Sequence, residues 1–145
     1  MEFPSELEVR IDTSRGGFVK RRDDGRVDFV SPVPCPFNYG SAQGTQAPDG
    51  EREDVIVLGS RIARGSSVRV AVLGRVRFVD GGVDDHKWLC GDVLSQRELV
   101  RVGRFFRLYA RAKRVLHALQ GEFRTTRFEG IELPETSFTN IERVS

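Results

Sequence analysis

The sequence predicts a mainly β domain of the α+β class, a small sheet or barrel of short strands followed by one long amphipathic helix. Two changes of pattern predict it. Up to about residue 93 the apolar residues alternate or form short β-branched runs broken by Gly, Asp and Pro; from Ser95 they recur at three- and four-residue steps. A third observation sets the domain count: 145 residues, 39% hydrophobic and 30% charged, suit one globular core. That domain is expected over residues 1–136, with a polar tail over 137–145.

Strands are expected at Leu7 to Ile11, Phe18 to Lys20, Val27 to Val30, Val55 to Leu58, Ser67 to Phe78 and His86 to Cys90. The last two face each other across Asp80-Gly81-Gly82, because glycine supplies the positive φ angles that tight hairpin turns require. Ser31 to Pro48 has four prolines, two glycines and little periodicity, and is expected to be a long ordered loop. Ser95 with Glu98 three residues on makes a capping box for a helix at about 95–119. Its apolar face carries Val102, Phe105, Phe106, Tyr109, Ala112, Leu116 and Leu119. The opposite arc carries Arg97, Arg101, Arg104, Arg107, Arg111 and Arg114. Gly121 ends the helix, and Glu122 to Phe128 is expected to return as a strand.

The formal charge of +2 is too small to name a partner. Cys35 and Cys90 stand far apart and form no C-x-x-C pair, which suits buried thiols in a cytoplasm. Nothing at the start has the basic and apolar regions of an export signal, and no apolar run is long enough to span a bilayer, so a soluble cytoplasmic protein is expected, with no membrane partner. P-loop, zinc-protease, nucleophile-elbow and dinucleotide fingerprints are all missing. His86, by strand alternation, points away from its neighbours Asp85 and Lys87; His117 reads as structural and Trp88 as a core residue.

Two acidic groups stand where strands meet loops: Asp49-Gly50-Glu51-Arg52-Glu53-Asp54, and Asp80 with Asp85 around a hairpin. From the residues alone they are either solvated turns at the rim of a sheet or, if the two turns converge, a joint site. In the second case the carboxylates would repel one another unless divalent cations neutralised them, and hard oxygen donors favour Mg²⁺ or Mn²⁺. Magnesium commonly binds together with substrate phosphates, and Lys87, two residues beyond Asp85 on the same strand face, adds a compact positive charge.

Pro36-Phe37-Asn38-Tyr39-Gly40, then Asp49-Gly50-Glu51-Arg52-Glu53-Asp54-Val55, then Asp80 through Asp85 to Lys87, resemble the soluble family I inorganic pyrophosphatases. Phe105-Phe106-Arg107-Leu108-Tyr109 continues the likeness. The resemblance implies a closed five-stranded OB-like barrel with flanking helices, and a hydrolase that splits inorganic pyrophosphate or a related diphosphate with Mg²⁺, Mn²⁺ being an alternative. It further implies Asp49, Asp54, Asp80 and Asp85 as metal ligands, and Tyr39, Lys87 and Tyr109 as contacts to phosphate oxygens. Glu51, Asp54 and Lys87 then carry the catalytic roles, and a homo-oligomer, dimer or hexamer, is expected.

The sequence also departs from the family pattern. Glu51 replaces the Asp that serves as general base and Arg52 the Pro after it, while Ala110 stands where a basic residue follows the helical tyrosine. Near the amino terminus Arg10, Phe18, Lys20 and Ser31 stand at or near the family's two glutamates, lysine and arginine. Lys20, Arg21 and Arg22 are candidate substitute cations. The alternative function is a non-catalytic OB-like module whose arginine-lined helix meets nucleic acid or an acidic protein, or an inactive relative that binds a phosphorylated metabolite. The acid cluster opposes a phosphate backbone, so nucleic acid is not an expected partner.

Overall fold

In chain order the elements are β1 (Glu6–Thr13), β2 (Val19–Arg21), β3 (Val27–Val30), β4 (Asn38–Ala42), β5 (Asp54–Val57), β6 (Ser67–Asp80), β7 (Val83–Asp84), β8 (Lys87–Cys90), α1 (Gln96–Leu119) and β9 (Arg127–Glu132). This computed structural model describes residues 3–21, 24, 26–30, 34–44, 52–122 and 125–134, without the side chains of residues 20, 21, 28 and 29. Asp49, Glu51, Arg22 and the polar tail lie outside the described residues.

Ring closure comes from β6, whose 14 residues outlast any single partner. Its first half runs antiparallel to β1, with Leu7 opposite Val70 and Val9 opposite Val68. Its middle runs antiparallel to β8, with Val76 opposite Lys87. β1 continues to β4, β4 to β5, and β5 to β8 in parallel, so five strands form a closed ring in the order β1-β4-β5-β8-β6. This is the OB-like barrel that the resemblance implies. Closure leaves few unpaired strand edges for another chain to add to. β7 and β9 extend the outer half of β6, and β2 with β3 form a separate hairpin.

Alternation along the ring strands divides the apolar residues into two cores. Leu7, Val9, Ile11, Ala42, Val55, Val57, Trp88 and Cys90 pack together on one face. Tyr39, Ile56, Val76, Phe78 and Leu89 point to the other face, where they meet Phe37 and the helical Val102, Phe106, Tyr109 and Ala110. The helix lies outside the ring, so the first set fills its interior. Trp88 is a core residue as expected. Full burial of side chains such as Val102 and Phe106 contributes about 1.5–3 kcal/mol each. The Arg101–Glu98 pair on the outer face adds only some 0.2–0.5 kcal/mol, so apolar contact attaches the helix. Ser95 caps it by accepting from the Glu98 amide at 3.2 Å. The last turns depart from the expected face: Leu116 and Leu119 are exposed because the sheet beneath them has ended.

Two expectations need correcting. β4 lies inside what the sequence reads as a loop, since Asn-Tyr-Gly-Ser-Ala has neither alternation nor β-branched residues. It is a strand because every one of its positions is buried between β1 and β5. Gly40 is what lets it approach: a Cβ there would sit 2.2 Å from the Arg10 carbonyl oxygen and 2.8 Å from Val9 Cγ1. The return strand β9 begins at Arg127 rather than Glu122, because its register is set by pairing with Arg75 to Val79 of β6.

Candidate active site

The ring's hydrogen-bond ladders fix a row of side chains across four strands. Arg10 on β1 lies opposite Ser41 on β4, Ser41 opposite Asp54 on β5, and Asp54 opposite Lys87 on β8. Directly opposed residues share a face, so all four project to the outer side, beside the helix-covered core. Tyr39, two residues before Ser41, shares that face and donates its hydroxyl to Asp54 Oδ2 at 3.1 Å.

Lys87 is the centre of this row. Its ammonium is fully buried, 3.2 Å from Asp54 Oδ2, 3.0 Å from Asp85 Oδ2 and 3.1 Å from the Asp85 carbonyl oxygen, with the Phe78 ring centroid 5.5 Å away. A lysine has three donors, and three oxygens surround this one. Asp85 is held in turn by its own amide, which donates to the Phe78 carbonyl at 2.8 Å. Two acidic turns some 30 residues apart in the chain thus converge on one cation. The buried neighbour Asp12 accepts a hydrogen bond from the Ser41 hydroxyl.

Asp80 belongs to a second cluster. Lys113 reaches it at 3.2 Å, His117 Nε2 stands 3.6 Å from its other oxygen, and Thr126 Oγ1 lies 3.5 Å from it. The two clusters are joined by aromatic rings: Phe78, beneath Lys87, packs 5.4 Å from Tyr109, and Lys113 stands 5.6 Å over Tyr109. Tyr109 therefore lies between the two acidic groups. Lys113 and Thr126 were not singled out from the sequence, which reads His117 as structural. Lys113 falls four residues after Tyr109, on the helix's apolar face, and a buried lysine at such a position is itself the signal that was passed over.

As expected, His86 points away from the site. Its Nδ1 accepts from the Phe78 amide at 3.0 Å, and burial, followed by the charge of Arg75, holds its pKa below the ordinary 6.5. Asn38, from the same motif as Tyr39, is structural. Its Oδ1 accepts from the amides of Arg15 and Ile62 at 3.0 and 2.8 Å, and its Nδ2 donates to the Ser60 carbonyl at 2.9 Å, tying two rim loops to β4. Three of the six arginines in the α1 stripe are engaged locally, Arg101 on Glu98, Arg107 5.7 Å over the Phe128 ring and Arg114 on the Thr126 carbonyl. The stripe does not favour the nucleic-acid alternative.

The family model for inorganic pyrophosphatase matches residues 5–109, which include every strand of the ring and the Lys87 centre. The chain belongs to the inorganic pyrophosphatase family. An inorganic pyrophosphatase of Gluconobacter oxydans is 31% identical over 97 residues, covering 61% of this chain and 56% of that protein. One from Halalkalibacterium halodurans is 29% identical over 127 residues, covering 73% and 78%. Among solved structures, an inorganic pyrophosphatase from Coxiella burnetii superposes with a TM-score of 0.73 at 23% identity, covering 98% of this chain and 94% of that one. The inorganic pyrophosphatase of Thermus thermophilus gives 0.73 at 21% identity, covering 98% and 90%. These structural likenesses establish the pyrophosphatase fold.

Pyrophosphatases of this family are metal-dependent, generally on Mg²⁺. Asp54 and Asp85 fit such an ion: both are carboxylates, they converge, and their side chains are 25% and 27% exposed, so an ion has access from solvent. Asp80, in its separate cluster, is engaged by Lys113 as Asp54 and Asp85 are by Lys87. Among the described residues no group of three or more His, Cys, Asp or Glu is arranged to hold a metal. The acidic block that would complete such a group includes Asp49, outside the described residues.

Proposed function

We propose that this pyrophosphatase-family chain hydrolyses inorganic pyrophosphate, in the cytoplasm, to two phosphates. What carries the reading is the convergence of Asp54 and Asp85 on the buried Lys87, with Tyr39 donating to Asp54, in a chain with this family's fold. Water oxygen bonds to one phosphorus, the bridging P–O bond breaks, and the leaving phosphate departs with the bonding pair. Asp54 and Asp85 would hold Mg²⁺, with Asp49 and Asp80 as further ligands by resemblance. When bound, the metal supplies a Lewis acid that eases loss of the water proton and shields phosphate charge. Glu51 is assigned as the general base on the resemblance.

The chain's own groups supply position and charge. Lys87 brings a fixed cation whose donors are spent on two aspartates, and exchanging one of those bonds offers a donor to a phosphate oxygen. Tyr39, held on Asp54, keeps that carboxylate oriented. Tyr109 is assigned to substrate on the resemblance, and its place between the two acidic groups supports that reading. In this account self-association would use the apolar end of α1, where Val115 and Leu119 are exposed.

The test is phosphate release from pyrophosphate with Mg²⁺, by wild type and by Asp54→Asn. A loss of at least about 100-fold in the variant is expected, as for removal of a group that positions the reacting centre. Equal rates would end the proposal. Thermal shifts on adding Mg²⁺ that persist when pyrophosphate is not cleaved would instead favour a binding relative.

A further inference from the structure

Next to the Lys87 centre the structure has a cavity of about 250 Å³ lined by Arg10, Asp24, Ser41, Gln43 and Arg52. We propose that Arg10 and Arg52 make this cavity an anion subsite, which takes the phosphoryl group of the diphosphate farther from Lys87. The proposal rests on the pyrophosphatase reading of the neighbouring site and adds the part of the chain that grips the other end of the substrate.

Position is the first support. Arg10 faces Ser41 and Ser41 faces Asp54, so Arg10 stands two strands from Asp54 on the same face, roughly 10 Å at the usual strand spacing. Charge is the second. Among the described residues the lining holds two guanidinium groups and one carboxylate, and that carboxylate, Asp24, already accepts from the Arg26 amide at 2.9 Å and the Arg26 guanidinium at 2.8 Å. Arg10 is exposed and its side chain makes no hydrogen bond or ion pair among the described residues.

Preorganisation is the third. Arg52 donates to Gln43 Oε1 at 2.7 Å, and Gln43 donates back to the Ser41 carbonyl at 3.1 Å, so one guanidinium is tied to β4 before any ligand arrives. A guanidinium fork matches two phosphate oxygens at once, which a lysine does not. Pockets that enclose organic ligands run from roughly 300 to 1,000 Å³, so this cavity suits an inorganic phosphoryl group better than a nucleoside.

The experiment measures binding of methylenediphosphonate, a diphosphate mimic with no cleavable P–O–P bond, by calorimetry in Mg²⁺ buffer. Wild type is compared with Arg10→Gln, Arg10→Lys and, as a control on the outer face of α1, Arg97→Gln. Loss of a charge-assisted hydrogen bond corresponds to roughly a 10- to 100-fold rise in Kd for Arg10→Gln. Arg10→Lys should fall between that variant and wild type, and Arg97→Gln should match wild type. An unchanged Kd in Arg10→Gln, or an equal loss in Arg97→Gln, overturns the proposal.

Turnover of pyrophosphate separates the two claims. If wild type cleaves pyrophosphate while Arg10→Gln keeps its Kd and KM, the subsite falls and the activity stands. If no variant cleaves it but Arg10→Gln still binds the mimic at least tenfold more weakly, the subsite stands and the hydrolase reading falls. When both hold, Arg10→Gln raises KM about tenfold and changes kcat by no more than about threefold, the mark of binding shared by ground and transition states.

Discussion

Replacing Lys87 by Met removes the cation while keeping a side chain of similar reach against Phe78. Asp54 and Asp85 are then left facing one another. Breaking a buried pair costs about 3–5 kcal/mol. Here the lysine is fully buried, but each aspartate is about a quarter exposed, so water screens part of the repulsion and the lower end, about 3 kcal/mol, applies. For a domain of this size that is a fall of roughly 6–12 °C in Tm. Urea titration and calorimetry in buffer with a chelator measure it. Adding Asp85→Asn to Lys87→Met removes one of the stranded charges and should return part of the loss, and added Mg²⁺ should raise the Tm of Lys87→Met more than that of wild type. A Lys87→Met protein within about 1 kcal/mol of wild type, or a double variant as unstable as two separate losses would make it, refutes the idea that this ammonium neutralises the pair.

Other substitutions test other parts of the molecule. Gly40→Ala forces a Cβ onto the Arg10 carbonyl, a backbone atom that cannot swing aside, so a loss of about 3 kcal/mol or more by urea titration is expected. Gly103→Ala is its opposite: the nearest atom to the new Cβ is the end of Arg107 at 3.5 Å, and a helix-interior alanine should stabilise by roughly 0.5–1 kcal/mol. Lys113→Met removes the nearest cation from Asp80 and should tighten Mn²⁺ binding by about tenfold in a calorimetric titration; unchanged binding would show that Asp80 takes no part in holding metal. Burial pushes the Cys90 thiol up from 9.0 to about 12. The unfolded chain therefore loses this proton first, so the stability from this group is complete below pH 9 and declines as the pH climbs from 9 towards 12. Urea midpoints at about pH 8 and about pH 10 should fall less steeply in Cys90→Ala than in wild type.

Much of the fold was legible because hydrophobic period is a local property. Ser67 to Phe78 and the helix from Ser95 declare themselves residue by residue, and their bounds shift only by a turn or less. β4 did not, because its residues are small or polar and become a strand only between two others, a condition invisible in five residues of chain. The parallel β5–β8 pairing is likewise non-local, yet it brings Asp54 beside Lys87. Within the site, the motif spacing led to Tyr39, Asp54, Asp85 and Lys87, which the structure joins. It led equally to Asp80, which lies in its own cluster beyond the Phe78 and Tyr109 rings, and to Asp49 and Glu51, outside the described residues. Lys113 was missed since a positive charge among phenylalanines reads as one more member of an arginine-rich helix.

A strand that slips by a single residue turns its whole row of side chains over, so the ladder between β5 and β8 admits no gradual error. The spacing of Asp54 and Lys87 is therefore inherited from the backbone and from the packed residues on either side of it, Val55 and Trp88. Arg10 and Arg52 can change sign or size on the same frame without loosening it. In this barrel the position of the chemistry is written in the main chain, and the choice of what is gripped there is left to side chains at its margin.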